Sequence, residues 1–282
     1  MFYYDLVKSN APQSQVSQTN INSFLSFNRI FSIAFNTFRE AVRDRVLYNL
    51  VLFVLLLTVA AVFLGELTAG QEARTIVNLG LSAMLLFGAF IAIFVGVSLV
   101  SKEIEKRTIY AIFSKPVGRA EFIVGKYLGL CLTLSVNILV MGVGVSLALF
   151  YVGGKDLALS IWGAVFLIFL ELMILTAVAV MFSSFSSPAL SALLSFFVFI
   201  IGHFSTGLNE LAHSLGSEFA KFFFGAIYYV LPNLSHFGFI ANSSHGDFPP
   251  SPMLIGAIGY TMVYVSILLI ITILIFSRRN FK

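Results

Sequence analysis

Residues 101–127 read SKEIEKRTIYAIFSKPVGRAEFIVGKY, the densest run of charge in the chain. On both sides the charge stops. Upstream, residues 76–100 carry no charged side chain. Downstream, an apolar run begins at Phe122 and continues to Val152. A membrane-crossing helix needs about 20 apolar residues. The downstream run exceeds that, so its first turns are read as cytosolic and interfacial, with Lys126 snorkelling, and the span itself is placed at 126–152. A short charged loop strung between two crossing helices sets the fold class.

Working outward, further apolar runs occupy 47–64, 159–182, 189–204 and 253–276. The chain is therefore read as an all-α integral membrane protein with six transmembrane helices. Composition agrees: 59% of residues are hydrophobic and 11% charged, against roughly 45–50% and 25% in soluble domains. That excess has to face lipid. Intrinsic disorder is excluded by the low charge, and a disulfide scaffold by Cys131 being the sole cysteine. No segment outside the spans is long enough for a separate soluble domain. Residues 1–22 form a loose polar segment and 23–282 a single transmembrane domain.

Six spans put both termini on one side of the bilayer. All but three of the 17 lysines and arginines fall on that side, the exceptions being Arg74, Lys155 and Lys221. By the positive-inside rule both termini are cytoplasmic. The same segregation explains the formal charge of +4 without invoking nucleic acid. Before the first span, Asn28, Ser32, Asn36, Arg39 and Arg43 recur at helical spacing, with Phe27, Ile30, Phe31, Ala34, Phe35, Phe38 and Val42 opposite. Residues 23–46 thus read as an amphipathic elbow helix in the cytoplasmic interface.

Within the charged loop, 103–114 has helical spacing of Ile104, Thr108, Ala111 and Ile112. Pro116 breaks it, because the residue before proline disfavours the helical region. Gly118 permits a turn, and a new helix starts at Arg119. A short charged helix hung beneath a bundle either docks into a groove on a partner or is a solvated connector. Here the sequence resembles a known family. Glu103-x-Glu105-x-x-Thr108, then Ser114-Lys115-Pro116-Val117-x-Arg119-x-Glu121-Phe122 and Gly125-Lys126, are similar to the cytoplasmic loop of type-2 ABC transporter permeases, the membrane subunits of ATP-driven exporters with the type V fold. The elbow helix and the six spans agree with that family. Arg107 stands where the family often has Gly, and Gly118 where Ser is usual.

The resemblance implies that the loop is a coupling helix seated in a cleft of a separate ATP-binding subunit. Two such subunits would bind ATP and Mg and supply the hydrolysis, so this chain is itself no enzyme and holds no cofactor. Glu103, Glu105, Arg107, Thr108, Lys115, Pro116, Arg119 and Glu121 would form the ATPase-coupling interface, the acids and bases pairing across it. Six spans make half a pathway, so a second copy, as a homodimer, completes it. The bacterial plasma (inner) membrane is the implied location.

Other motifs carry less. Gly118 to Tyr127 lacks the spacing and the Ser or Thr of a phosphate-binding loop. No cysteine–histidine cluster suggests a metal. Gly125-x-x-x-Gly129 and Gly88-x-x-x-Ala92-x-x-x-Gly96 are small-residue ridges that let helices approach closely, inside a bundle or in a dimer. Residues 206–252 make the longest external segment. Within it, 219–231 reads as an interfacial or re-entrant helix ending at Pro232, able to anchor, gate or seat an extracytoplasmic partner.

Glu171 is the outlier. An ionised carboxylate in mid-span costs roughly 2.5–3.5 kcal/mol on insertion scales. Asn137, at similar depth in the third span, is the expected partner. The pair is either an interhelical hydrogen bond or a polar position on a substrate path or proton relay. Two other functional readings stand beside the ABC exporter. One is a proton-coupled secondary transporter using Glu171; the other is a permease-fold protein that transmits mechanical change without moving a solute. If Glu171 lies on the path, Glu171→Leu leaves assembly intact and impairs transport in a vesicle assay. Unimpaired transport removes Glu171 from the pathway.

Overall fold

The computed structural model describes residues 11–43, 71–105, 118–205 and 231–278, with isolated positions in 52–63 and 207–230. Seven α-helices and one 3-10 turn account for the continuous stretches: α1 Ala11–Val42, α2 Glu72–Glu105, α3 Arg119–Tyr151, α4 Lys155–Ser183, α5 Pro188–His203, the 3-10 turn Leu234–Phe237, α6 Ile240–Ser244 and α7 Ser251–Arg278. No strand occurs among the described residues. The fold is all-helical for the reason lipid imposes: inside hydrocarbon, a helix satisfies its own backbone N–H and C=O groups.

α2, α3, α4 and α7 are long and apolar enough to cross a membrane. α5 occupies the expected fifth span but has only 16 residues, about 24 Å at 1.5 Å per residue, short of a 30 Å hydrocarbon core. The expected first span, 47–64, lies outside the described residues apart from isolated positions. One of these, Leu55, lies where a Cβ on Gly144 would come within 2.6 Å of its Cδ2.

α4 is the post of the bundle. Its most apolar window is 72% buried, against 22% for α7. One side packs with α2 and α3 through Leu81, Met84, Ile138, Met141, Ile168 and Leu172. The other packs with the 3-10 turn and α7 through Leu167, Ile174, Leu234 and Phe237. Gly88 and Gly96 of α2 face Leu172 and Ala179 of α4 at distances that leave no room for a side chain. That ridge is a bundle contact.

α1 begins at Ala11 instead of 23 and ends at Val42 instead of 46, so residues 11–22 are helical where a loose segment was expected. Pro12 sits in the first turn, where its missing N–H forfeits no helical bond. The phenylalanine side of α1 stays outside the bundle. Thr37 and Ala41 are buried, whereas Phe31 and Phe35 are exposed and stack on each other at 6.4 Å. The cause lies in α3. A Cβ on Gly125 would be 2.8 Å from Ile33, and one on Gly129 would be 2.5 Å from the Ala34 carbonyl and 2.6 Å from Thr37 Cβ. The Gly125/Gly129 ridge is thus the seat of α1, and backbone proximity selects a stripe of smaller side chains over the phenylalanines.

Gly129→Val should push α1 off this seat. Overpacking of this kind costs about 1–3 kcal/mol, read as a lowered midpoint in thermal unfolding of the detergent-solubilised chain. Gly259→Ala, with no neighbour within 4 Å of the added carbon, should be neutral or slightly stabilising.

Candidate functional site

Two clusters of polar chemistry stand out. The first lies where the charged loop rejoins the bundle. Residues 106–117, with Arg107, Thr108, Lys115 and Pro116, lie outside the described residues. Glu103 and Glu105 fall in the last turn of α2. Arg119 and Glu121 open α3, and their partners belong to this chain. Glu121, third residue of the helix, accepts the Gly118 N–H at 3.0 Å, the return half of a capping box. It also faces Arg29 of α1 at 3.8 Å. Arg119 donates to the backbone carbonyl of Phe276 at 3.3 Å and to that of Ser277 at the end of α7. Capping a helix C-terminus with a cation is favourable because its last carbonyls are unpaired.

One turn further, Lys126 is 3% exposed. Its ammonium lies 3.6 Å from Glu40 of α1 and 5.9 Å from the centroid of the Phe122 ring. Phe122 in turn stacks on Phe276 at 6.1 Å. Arg119 and Glu121 therefore tie the start of α3 to α7 and α1. The sequence could not show this, because the Arg29 and Ser277 contacts join residues far apart in the chain.

The second cluster lies inside the bundle. Glu171 is 1% exposed. The expected partner, Asn137, donates instead to the Thr133 carbonyl one turn back on its own helix, at 2.8 Å. The group that faces Glu171 is His203, the last residue of α5, with Nδ1 3.4 Å from Oε1. Neither atom makes a hydrogen bond of good geometry among the described residues. The His203 ring also packs on Phe199 at 4.8 Å. A signal for this pairing was present in the sequence. Pro188 forces a tight reversal between α4 and α5, and Glu171 and His203 are equidistant from Ser187.

Asn233, just ahead of the 3-10 turn, is 4% exposed. Its Oδ1 accepts from Ser205 Oγ at 2.6 Å and from the Ser235 backbone N–H at 3.2 Å. Its own N–H donates to Tyr260 Oη of α7 at 2.9 Å, and Nδ2 lies 3.2 Å from His236 Nε2. Tyr264 Oη donates to the Val230 carbonyl at 2.9 Å and stacks on Tyr260 at 5.6 Å. Next to this knot, His236, Phe237, Met253, Gly256, Ala257 and Tyr260 line an open cavity of about 340 Å³. Pure apolar periodicity could not reveal the knot, since only its assembly makes Asn233 central. Among the described residues no group of three or more metal-ligating side chains is present.

Residues 31–280 match the family described as ABC-2 family transporter protein. A search of curated proteins returned no match.

Asn233→Ala should orphan the Ser205 and Ser235 groups together, while its backbone N–H still reaches Tyr260. Unsatisfied buried polar groups cost about 1–3 kcal/mol, so its thermal midpoint should fall further than that of Tyr260→Phe, which removes one bond.

Proposed function

Since the chain belongs to the ABC-2 transporter family, matched from residue 31 to 280, and is a membrane subunit of an ABC transporter, we propose that it is the permease of an ATP-driven exporter. The observation that carries this is the position of the charged loop. It bears the Ser114-Lys115-Pro116 motif and leads directly into a helix start tied to both α1 and α7. A separate ATP-binding subunit, in two copies, receives the loop and holds ATP and Mg. Closure of those subunits moves the loop. Arg119 carries the displacement to the end of α7, and Glu121 with Lys126 carries it to α1. A second copy of the chain completes the pathway in the plasma membrane, with both termini cytoplasmic.

Under this reading the residues that meet the ATP-binding subunit are those of the loop itself: Glu103, Glu105, Arg107, Thr108, Lys115 and Pro116. Arg119 and Glu121 act one step behind it, as positioning residues inside the permease.

Affinity purification of the full chain from membranes should bring down an ATPase. The double variant Glu103→Ala/Glu105→Ala should lower permease-stimulated hydrolysis about tenfold, equivalent to roughly 1.4 kcal/mol of interface free energy. Unchanged stimulation would refute the coupling assignment. A cysteine at Ser114 should react with an impermeant maleimide from the cytoplasmic side alone; Cys131 is buried and leaves the background low.

A further inference from the structure

We propose that Glu171 and His203 share one exchangeable proton, and so form a proton-binding site inside the membrane-spanning bundle, between α4 and α5. Three observations carry this. Oε1 and Nδ1 face each other at 3.4 Å. Both atoms are buried and make no hydrogen bond of good geometry among the described residues, the nearest backbone acceptor to the His203 ring being the Phe199 carbonyl one turn back on α5. The contact joins the most buried helix to a helix that ends at the histidine itself.

The chemistry follows from the medium. A bare carboxylate in hydrocarbon is costly, and a lone imidazolium is too. The arrangement with no net charge carries one proton between the two groups: either the acid O–H donates to the Nδ1 lone pair, or the imidazolium N–H donates to the carboxylate. Passing the proton across breaks one bond and forms the other, with nothing gained or lost. A closure of a few tenths of an ångström brings the pair into hydrogen-bond range. The acid form is the one that suits a dry site, because it separates no charge.

The surrounding elements bring no competitor into ion-pair distance of Glu171 among the described residues. α3 brings Tyr127, whose hydroxyl donates to the Met173 carbonyl at 3.3 Å, and Cys131, which is buried. The 3-10 turn and α7 bring His236 and Tyr260, both engaged at Asn233. The titratable groups of α2 sit at its two ends, Glu72 and Arg74 in the first turn and Lys102, Glu103 and Glu105 in the last, and α6 has none.

The site has a mechanical consequence. With the proton aboard, the α4–α5 contact is neutral and belongs in the membrane interior. Parting the two residues exposes either group only where water can receive its charge, so separation of α5 from α4 and departure of the proton go together. This stands on geometry alone and does not depend on where ATP is hydrolysed.

Infrared difference spectroscopy of the full chain in lipid nanodiscs, across a pH titration in H₂O and D₂O, tests it. The expected result is a deuterium-sensitive carboxylic-acid carbonyl band at neutral pH. It should be absent in Glu171→Gln and displaced in frequency in His203→Leu and His203→Gln, and it should be unmoved in Asn137→Leu. The two histidine variants guard against one of them failing to fold. Absence of an acid band at neutral pH that Glu171→Gln removes would overturn the proposal. So would a band that neither histidine variant moves.

Discussion

Hydrocarbon cannot hydrogen-bond, and nearly every polar choice in this molecule answers to that. Several hydroxyls inside the helices turn back on their own backbones: Thr133 to Gly129, Thr176 to Leu172, Ser195 to Ser191 and Thr272 to Leu268, at 2.7–2.9 Å. Each satisfies itself without a neighbouring helix, so it neither fixes register nor resists sliding. Asn137 follows the same rule. Helix positions are then set by shape, through Gly88 and Gly96 against α4 and Gly125 and Gly129 against α1. Where a side chain does reach to another helix, it marks a place where the bundle is specified by polarity.

Those places fall at two levels. Near the charged loop, Arg119, Glu121 and Lys126 bind the start of α3 to α7 and α1. Their stems lie along apolar surface while the heads find carbonyls and carboxylates. The glycine seat beneath them brings the α1 backbone into direct contact with α3. A displacement delivered to the loop therefore acts on three helices together. A hinge confined to the loop would dissipate it, and Glu121 stiffens that point by closing the first turn on Gly118.

Apolar run length made α2, α3, α4 and α7 legible from sequence, because lipid demands it of each helix separately. The Ser-Lys-Pro motif likewise needed no tertiary information, and it led to the family to which the chain belongs. What was not legible depends on azimuth. Asn137 and Glu171 lie at similar depth, yet depth says nothing about which way a side chain points. The apolar side of α1 could be read from its period, but not that Thr37 and Ala41 would seat on α3, since the flat glycine surface of α3 selects by size. The start of α1 was obscured because a Gln/Ser/Asn run has no apolar period to read.

The short reach of α5 links the two internal polar features. A helix of 16 residues ends beside Glu171, and Pro232–Leu234 lies against its last turn. Gly202 makes that contact fit, since a Cβ there would come within 2.8 Å of the Pro232 carbonyl and 2.7 Å of Leu234 Cγ. His203 and Asn233 are consequently held by the same backbone contact, one facing α4 and the other bonded to Ser205 and Tyr260. A displacement of the α5 backbone that draws His203 away from Glu171 would carry Gly202 against Pro232 and Leu234, beside the Asn233 knot. Charge at the core of the bundle and the shape of the cavity at α7 are then two readings of one displacement.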